Sequence, residues 1–289
     1  MEKNLSDLVS SPSWQLRTRS LDLNSPRIMG ILNVTPDSFS DGGQYFSAKD
    51  AIARALQIEE EGADILDIGA ESTRPGATLL SSEEEWERLG PVLKVLQNKL
   101  KIPISLDSYH GEVVQQALDY GVEIINDVSQ AADPSLLKAV AESQAAYVLM
   151  HCRGTAQNMM QKAIYHDVVA EVRAELEASL QRVLACGISP QKICLDPGFG
   201  FSKTTEQNYQ LFKNLRCIAI QTYPYLVGVS RKKMLREIVG KDVDLLKNAS
   251  LIAAVLAVQA GASILRVHDV CETKTAIKTW SSLKSSSKI

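Results

Sequence analysis

A recurrence constrains this chain more than any single residue. Short apolar, strand-like runs end near Val34, Ile68, Leu106, Asn126, Met150, Leu195, Val229 and Val267, and a helical pattern follows each one. Trp86, Leu89, Leu93 and Leu96 fall at i, i+3, i+7 and i+10, while Val168, Val172, Leu176, Leu180 and Leu184 repeat every fourth residue, so each stretch carries one apolar stripe. Ser82 with Glu85 has capping-box spacing, and Asp133-Pro134 and Ser189-Pro190 set a cap residue before a proline. Gly62, Gly121, Gly187 and Gly261 stand just ahead of strands, where helices end. Strands alternating with helices predict a parallel sheet of the α/β class, closed into a (β/α)8 TIM barrel over residues 27–280. An open doubly wound sheet is the competing fold. It expects a G-x-G-x-x-G turn after the first strand and polar groups at one switch point, whereas here nearly every strand ends in a polar residue. Residues 1–26 form an N-terminal extension in which S-W-Q-L-R-T-R-S-L-D-L alternates from Trp14 as an edge strand or hairpin would, and residues 281–289 are a tail.

Several function classes are excluded early. No apolar run approaches the roughly eighteen residues that span a bilayer, and the start M-E-K-N-L-S-D-L lacks a signal peptide's basic and apolar regions. A net charge of -3 argues against a nucleic-acid partner. The five cysteines are odd in number and form no C-x-x-C pair, which predicts reduced, mainly core-filling thiols in a cytoplasmic protein. No G-x-S-x-G, H-E-x-x-H or G-K-[ST] motif anchors a serine hydrolase, zincin or P-loop reading.

Barrel enzymes build their sites where strands end. Those ends carry Asn33, Asp67, Asp107, Asn126, Met150-His151, Asp196, Ser230-Arg231-Lys232, and Arg266 with His268. Alternation sorts them: Ser105 and Asp107 share one face against Ile104 and Leu106, and Arg266 and His268 share one face against Leu265 and Val267. Asp107 and Asp196 need donors if buried, and Asn126 supplies both donor and acceptor, a set that suits a flat heterocycle with an amidine-like edge. Arg74, Lys232, Arg266 and His268 suggest an anion site above it. Asn33 and the first-loop carboxylates add hard oxygen ligands of the kind that take Mg²⁺ with water and a diphosphate. In D-P-G-F-G-F-S-K-T, the glycines allow close backbone approach, with Phe201 stacking and Lys203 in support.

M-G-I-L-N-V-T-P-D-S-F-S-D-G-G, D-I-L-D-I-G-A-E-S-T-R-P-G-A, S-L-D-S, I-I-N-D-V, L-D-P-G-F-G-F-S-K-T, G-V-S-R-K and R-V-H-D-V, in this order over roughly residues 27–280, resemble the dihydropteroate synthase family. The resemblance implies a pterin-binding barrel that joins 6-hydroxymethyl-7,8-dihydropterin diphosphate to p-aminobenzoate, releasing diphosphate and giving 7,8-dihydropteroate. Carried over by motif, Asp107, Asn126, Asp196 and Lys232 hold the pterin between Met150 and Phe201. Thr73, Arg266, Val267 and His268 contact the substrate at its diphosphate end, and Asn33 ligates Mg²⁺. Asp37, Arg74 and Lys232 assist the chemistry, in which diphosphate departs before the arylamine attacks. Phe39 and Ser230 shape the p-aminobenzoate pocket, where sulfonamides compete. A homodimer is implied, formed by late helices where L-I-A-A-V-L-A-V is unusually apolar.

Departures from the family pattern are few. Ala70 replaces a second Gly, and Cys152-Arg153 and Ala156 replace Met-Gln and Pro, which leaves Arg153 without a role. No kinase or aldolase motif accompanies the barrel, which implies a single activity. The alternatives are a pterin-dependent methyltransferase of the same barrel superfamily, which needs neither R-K nor R-V-H nor T-P-D-S-F, and a non-catalytic pterin binder.

Overall fold

The computed structural model describes residues 12–35, 48–71, 79–220 and 223–285. Strands and helices alternate as the recurrence predicts: β3 (Arg27–Asn33), α1 (Ala48–Glu60), β4 (Ile65–Gly69), α2 (Ser82–Leu96), β5 (Ile104–Asp107), α3 (Gly111–Asp119), β6 (Ile124–Asp127), α4 (Pro134–Ser143), β7 (Ala146–Met150), α5 (Val168–Ala185), β8 (Ile193–Asp196), α6 (Thr205–Lys213), α7 (Leu215–Ile218), β9 (Leu226–Val227), α8 (Lys233–Val239), α9 (Val243–Gln259), β10 (Ile264–Val267) and α10 (Val270–Ser285). Before them, β1 (Ser13–Gln15) and β2 (Ser20–Asp22) pair antiparallel as a hairpin. The eight later strands run parallel in the order β8-β7-β6-β5-β4-β3-β10-β9. A parallel bridge between Leu195 and Tyr225, with the Leu195 amide donating to the Pro224 carbonyl at 2.9 Å, joins the two outer strands and closes the barrel.

The period-two alternation of each strand divides the apolar core into two layers. Outward residues such as Leu66, Ile68, Leu106, Ile125, Leu149, Leu195 and Leu265 pack on the helices. Inward residues Met29, Ile65, Ile124, Ala146, Val148, Cys194, Leu226 and Ile264 form a separate cluster with Trp14 and Leu16. The hairpin is therefore the barrel's floor. Trp14 is fully buried and its indole N–H donates to the Lys192 carbonyl at 2.9 Å. Lys192 Nζ in turn reaches the Leu16 and Gln144 carbonyls, and Arg17 donates to the Leu118 carbonyl at 2.5 Å. The hairpin is thus bonded to Lys192 just before β8 and to the end of α3, and Lys192 links it on to Gln144 ahead of β7.

Three sequence expectations shift. The capping box of α2 is formed by Ser81 and Glu84, one residue earlier than expected. Ser82 instead donates to Glu112 at 2.6 Å, and Glu85 turns inward to accept from Ser108 and His110. Ser189-Pro190 opens only a short 3₁₀ turn, Pro190–Lys192, because β8 begins immediately after it. The Asp133-Pro134 start of α4 agrees with its sequence, the Asp133 carboxylate accepting from the Ser135 amide. Of the five free cysteines only Cys152 and Cys194 are buried; Cys186, Cys217 and Cys271 are exposed, against the expectation of mainly core-filling thiols. Among the described residues no helix is long and apolar enough to cross a membrane.

Candidate active site

At the opposite end from the hairpin the inward positions turn polar. Asp67 of β4, Ser105 and Asp107 of β5, Asn126 of β6, Asp196 of β8 and Arg266 of β10 follow the apolar floor residues on the same faces of their strands. Arg266 lies between two carboxylates: Nε donates to Asp67 Oδ2 and Nη2 to Asp107 Oδ2, both at 2.6 Å. Asn126 Nδ2 donates to the same Asp67 oxygen at 3.2 Å. Burial works against the guanidinium's charge, but Asp67 and Asp107 outweigh it and hold Arg266 firmly protonated. Burial also raises the Asp107 carboxyl, opposed chiefly by Arg266. The sequence placed cations above carboxylates; the geometry corrects this by setting the arginine among them.

Four buried side-chain atoms of the described residues have no hydrogen-bond partner: Asp67 Oδ1, Ser105 Oγ, Asp107 Oδ1 and Asn126 Oδ1. All four belong to this one layer. Buried polar atoms are ordinarily paired, so their concentration here marks the place where a ligand with several N–H groups would complete the bonding.

The β8 loop supplies the next wall. Asp196 Oδ1 accepts from the Gly198 amide at 2.7 Å, and Gly198 has φ +69° with room for no side chain, since a Cβ there would lie 1.9 Å from the His151 carbonyl oxygen. Phe201 packs beside Met150, Cys152 and Met159, and the Lys232 ammonium stands 4.7 Å from the Phe201 ring centroid while donating to the Phe199 carbonyl. Burial pushes Lys232 down to about 8, with Asp196 and Asp107 resisting, and burial raises Asp196, with Lys232 resisting. Each group thus opposes the shift that burial imposes on the other.

Beneath this loop, Lys203 is buried and donates to the Gly198 and Phe201 carbonyls and to His151 Nδ1 at 2.9 to 3.0 Å. Burial pulls Lys203 down to about 7 and His151 to about 4, so the imidazole is neutral near pH 7. His151 Nε2 meets Glu175 at 3.0 Å, and Arg153 completes the chain through Glu175 and Glu171 with its guanidinium 3.8 Å from the Tyr165 ring. Arg153, for which the sequence offered no role, thus ties the loop after β7 to α5. His151, grouped by sequence with the polar strand ends, faces this network and not the mouth.

The remaining expected residues divide clearly. Ser230 and His268 meet at 3.0 Å through Oγ and Nδ1. Val267 faces the helix layer. Arg231, in the left-handed region at φ +57°, is taken up by an ion pair with Asp269, just beyond β10. Asn33 ends β3 beside Gly69 of β4. Asp37, Phe39, Thr73 and Arg74 lie outside the described residues. The strand-end pattern gave Asp67 and Ser105 no task. Their parity with Ile65 and Asp107 was the available signal.

Residues 29–268 match the family described as pterin binding enzyme. A dihydropteroate synthase of Neisseria meningitidis serogroup C is 46% identical over 275 residues, 93% of this chain and 97% of that protein. A solved Xanthomonas albilineans dihydropteroate synthase with 4-aminobenzoic acid superposes with a TM-score of 0.89 at 42% identity, covering 96% of this chain and 99% of that one. A second structure of the Xanthomonas albilineans enzyme, in complex with 7,8-dihydropteroate, gives a TM-score of 0.86 at 38% identity over 95% of this chain and 99% of that one.

Proposed function

Because the chain belongs to the pterin-binding enzyme family, among its dihydropteroate synthases, we infer that its polar layer receives a dihydropterin. The reaction is transfer of the dihydropterinylmethyl group of 6-hydroxymethyl-7,8-dihydropterin diphosphate to p-aminobenzoate, giving 7,8-dihydropteroate and diphosphate. The observation that carries the pterin assignment is the set of unpartnered buried atoms, chiefly acceptors, at Asp67, Ser105, Asp107 and Asn126. A pterin edge is rich in N–H donors, and Met150 and Phe201 give its faces an apolar slot. Lys232 and Asp196 add one donor and one acceptor at the slot's rim. The methyltransferase alternative is set aside by the identity to dihydropteroate synthases along nearly the whole chain.

Arg266 and His268 share the inward face of β10 and its continuation, and His268 is oriented by Ser230. They would meet the diphosphate end of the substrate together with Thr73 and the backbone of Val267. Arg266 is already divided between two carboxylates, so its charge serves the pterin layer and the departing anion at once. Asp37, Arg74 and Lys232 would act at the reacting carbon and leaving group, and the arylamine, unprotonated at neutral pH, needs no strong base from the protein.

Mg²⁺ suits the donor set. Among the described residues no three His, Cys, Asp or Glu side chains gather to cage a metal. A single strand-end amide such as Asn33 fits a cation that keeps water and draws oxygens from a diphosphate. Bound there, it would offset charge on the leaving group.

A second copy of the chain is the partner for α9. That helix carries a buried stripe, Leu246, Ala253, Ala254 and Ala257, and an outer one of Leu245, Ile252 and Leu256, all exposed, near exposed Val243 and Ile238. An apolar outer stripe of this size supports a homodimer through the late helices. Free cysteines, three of them exposed, support a reducing cytoplasmic setting.

The test is product formation from both substrates with Mg²⁺, followed by chromatography of dihydropteroate and release of diphosphate. Folded protein that yields neither would sink the assignment, and loss of product on chelation with recovery on adding Mg²⁺ is the expected metal result. Sulfonamides should raise the apparent KM for p-aminobenzoate. Light scattering should give twice the 31.7 kDa chain mass, falling to one chain in an Ile252→Glu, Leu256→Glu variant.

A further inference from the structure

Asp67 leaves one oxygen, Oδ1, unpartnered in the polar layer, while its other oxygen organises two neighbours. Oδ2 accepts from Arg266 Nε at 2.6 Å and from Asn126 Nδ2 at 3.2 Å. Because this oxygen already serves as the acceptor for Arg266, the Asn126 atom that faces it is the amide nitrogen, a donor. The carbonyl oxygen of that amide is then committed to the other side, where it is buried and has no partner. The Arg266 Nε–H already occupies the same Asp67 oxygen as a donor, which reinforces this choice.

We propose that Asp67 is a positioning residue that sets specificity: by fixing the amide of Asn126 it turns an acceptor, and not a donor, toward the ligand. Asp107 Oδ1 is unpartnered in the same layer and is likewise an acceptor. A heterocycle that offers N–H at this edge completes both. One that offers a carbonyl oxygen meets acceptors opposite its own acceptor, a mismatch that buried sites reject strongly. Without Asp67, the Asn126 side chain is free to turn about its Cβ–Cγ bond and present its NH₂ group, so the mismatch can relax.

The inference rests on the pterin reading, and its test separates the two. Titration calorimetry compares pterin, with its 2-amino group, and lumazine, which has a 2-oxo group in its place. The wild-type protein should bind pterin at least about tenfold more tightly. Asp67→Ala should shrink that preference by about tenfold, through relative gain for lumazine as well as loss for pterin. Asp67→Asn, whose side-chain oxygen can still accept from both neighbours, should restore much of the preference. Equal weakening of both ligands by Asp67→Ala would mean that Asp67 merely supports the fold, and would overturn the inference. Wild-type protein that binds no pterin would overturn the pterin reading instead. Circular dichroism checks each variant, and if Asp67→Ala does not fold, Asp67→Ser carries the same comparison, because a hydroxyl accepts and donates and fixes no orientation.

Discussion

The floor and the mouth of the barrel are built from successive inward positions of the same strands. On β4, Ile65 is followed by Asp67; on β6, Ile124 by Asn126; on β10, Ile264 by Arg266. At the floor the inward side chains are apolar, sealed by Trp14, and the Trp14 indole and the Arg17 guanidinium of the hairpin reach backbone carbonyls. Two residues further along, four buried polar atoms are left unpaired. Moving one step along an inward face therefore separates a region optimised for folding from one whose bonding is finished by something else. Stability and function should therefore come apart between these two levels of the barrel.

The largest effect should come from the mouth. Arg266→Met leaves Asp67 and Asp107 facing each other without their shared cation, and breaking a buried ionic group by removing one partner typically costs about 3–5 kcal/mol. Urea unfolding should show that loss, and product formation should vanish with it. Retained stability would mean that the two carboxylates are relieved in some other way and that the contrast with the floor is weaker than described. Trp14→Ala is the matching experiment at the other end. Removing a fully buried indole should cost about 3 kcal/mol, yet at a temperature where the variant remains folded its KM for both substrates should be unchanged. A raised KM there would break the separation.

A pterin ligand at about one hundred times its Kd should stabilise the wild-type protein by about 2.7 kcal/mol. The gain should be equal in Trp14→Ala and absent in Arg266→Met, which thermal melts with and without ligand will read. The smallest effect concerns the support beneath the β8 loop. Burial alone would raise Glu175, but hydrogen bonds from His151 and Arg153 more than reverse this and bring it down to about 2. A carboxyl lowered in the folded state stabilises above its free value of about 4.3, and that contribution fades as pH falls toward 2. Glu175→Gln should therefore cost about 1 kcal/mol near neutral pH, given the partial exposure of the group. The gap from wild type should close as pH falls from about 4 to about 2. A gap independent of pH would assign the effect to packing.

Much of this arrangement could be read from periodicity. Alternation alone set Ser105 with Asp107 and Arg266 with His268, and the run of polar strand ends pointed to one mouth. What alternation does not carry is pairing across the barrel. Arg266 is 199 residues from Asp67 and 159 from Asp107 in sequence, and which inward side chains meet depends on strand tilt and on the order β5-β4-β3-β10. The capping box of α2 slipped by one residue because Ser81 and Ser82 are followed by three consecutive glutamates, which makes two registers equally good on paper. Tertiary contact decides: Glu85 is drawn inward by His110 and Ser108, leaving Glu84 for the cap. The Arg153 network was invisible for the same reason as the Arg266 pairings, since its partners lie on α5.

The barrel's closure has a further consequence. Seven of its eight strand junctions are ladders with at least two registered pairs, whereas β8 and the start of β9 are joined through the single bridge at Leu195 and Tyr225. This junction is the seam at which the cylinder should breathe, and amide exchange at Leu195 should be faster than at Leu66 or Ile125 in equally buried strands. Asp196 stands on one side of the seam, and Lys232, downstream of β9, on the other. A heterocycle held by both would act as a stitch across it. Ligand binding should then slow exchange at Leu195 more than at the hairpin floor, and the molecule would be most firmly closed only while it is at work.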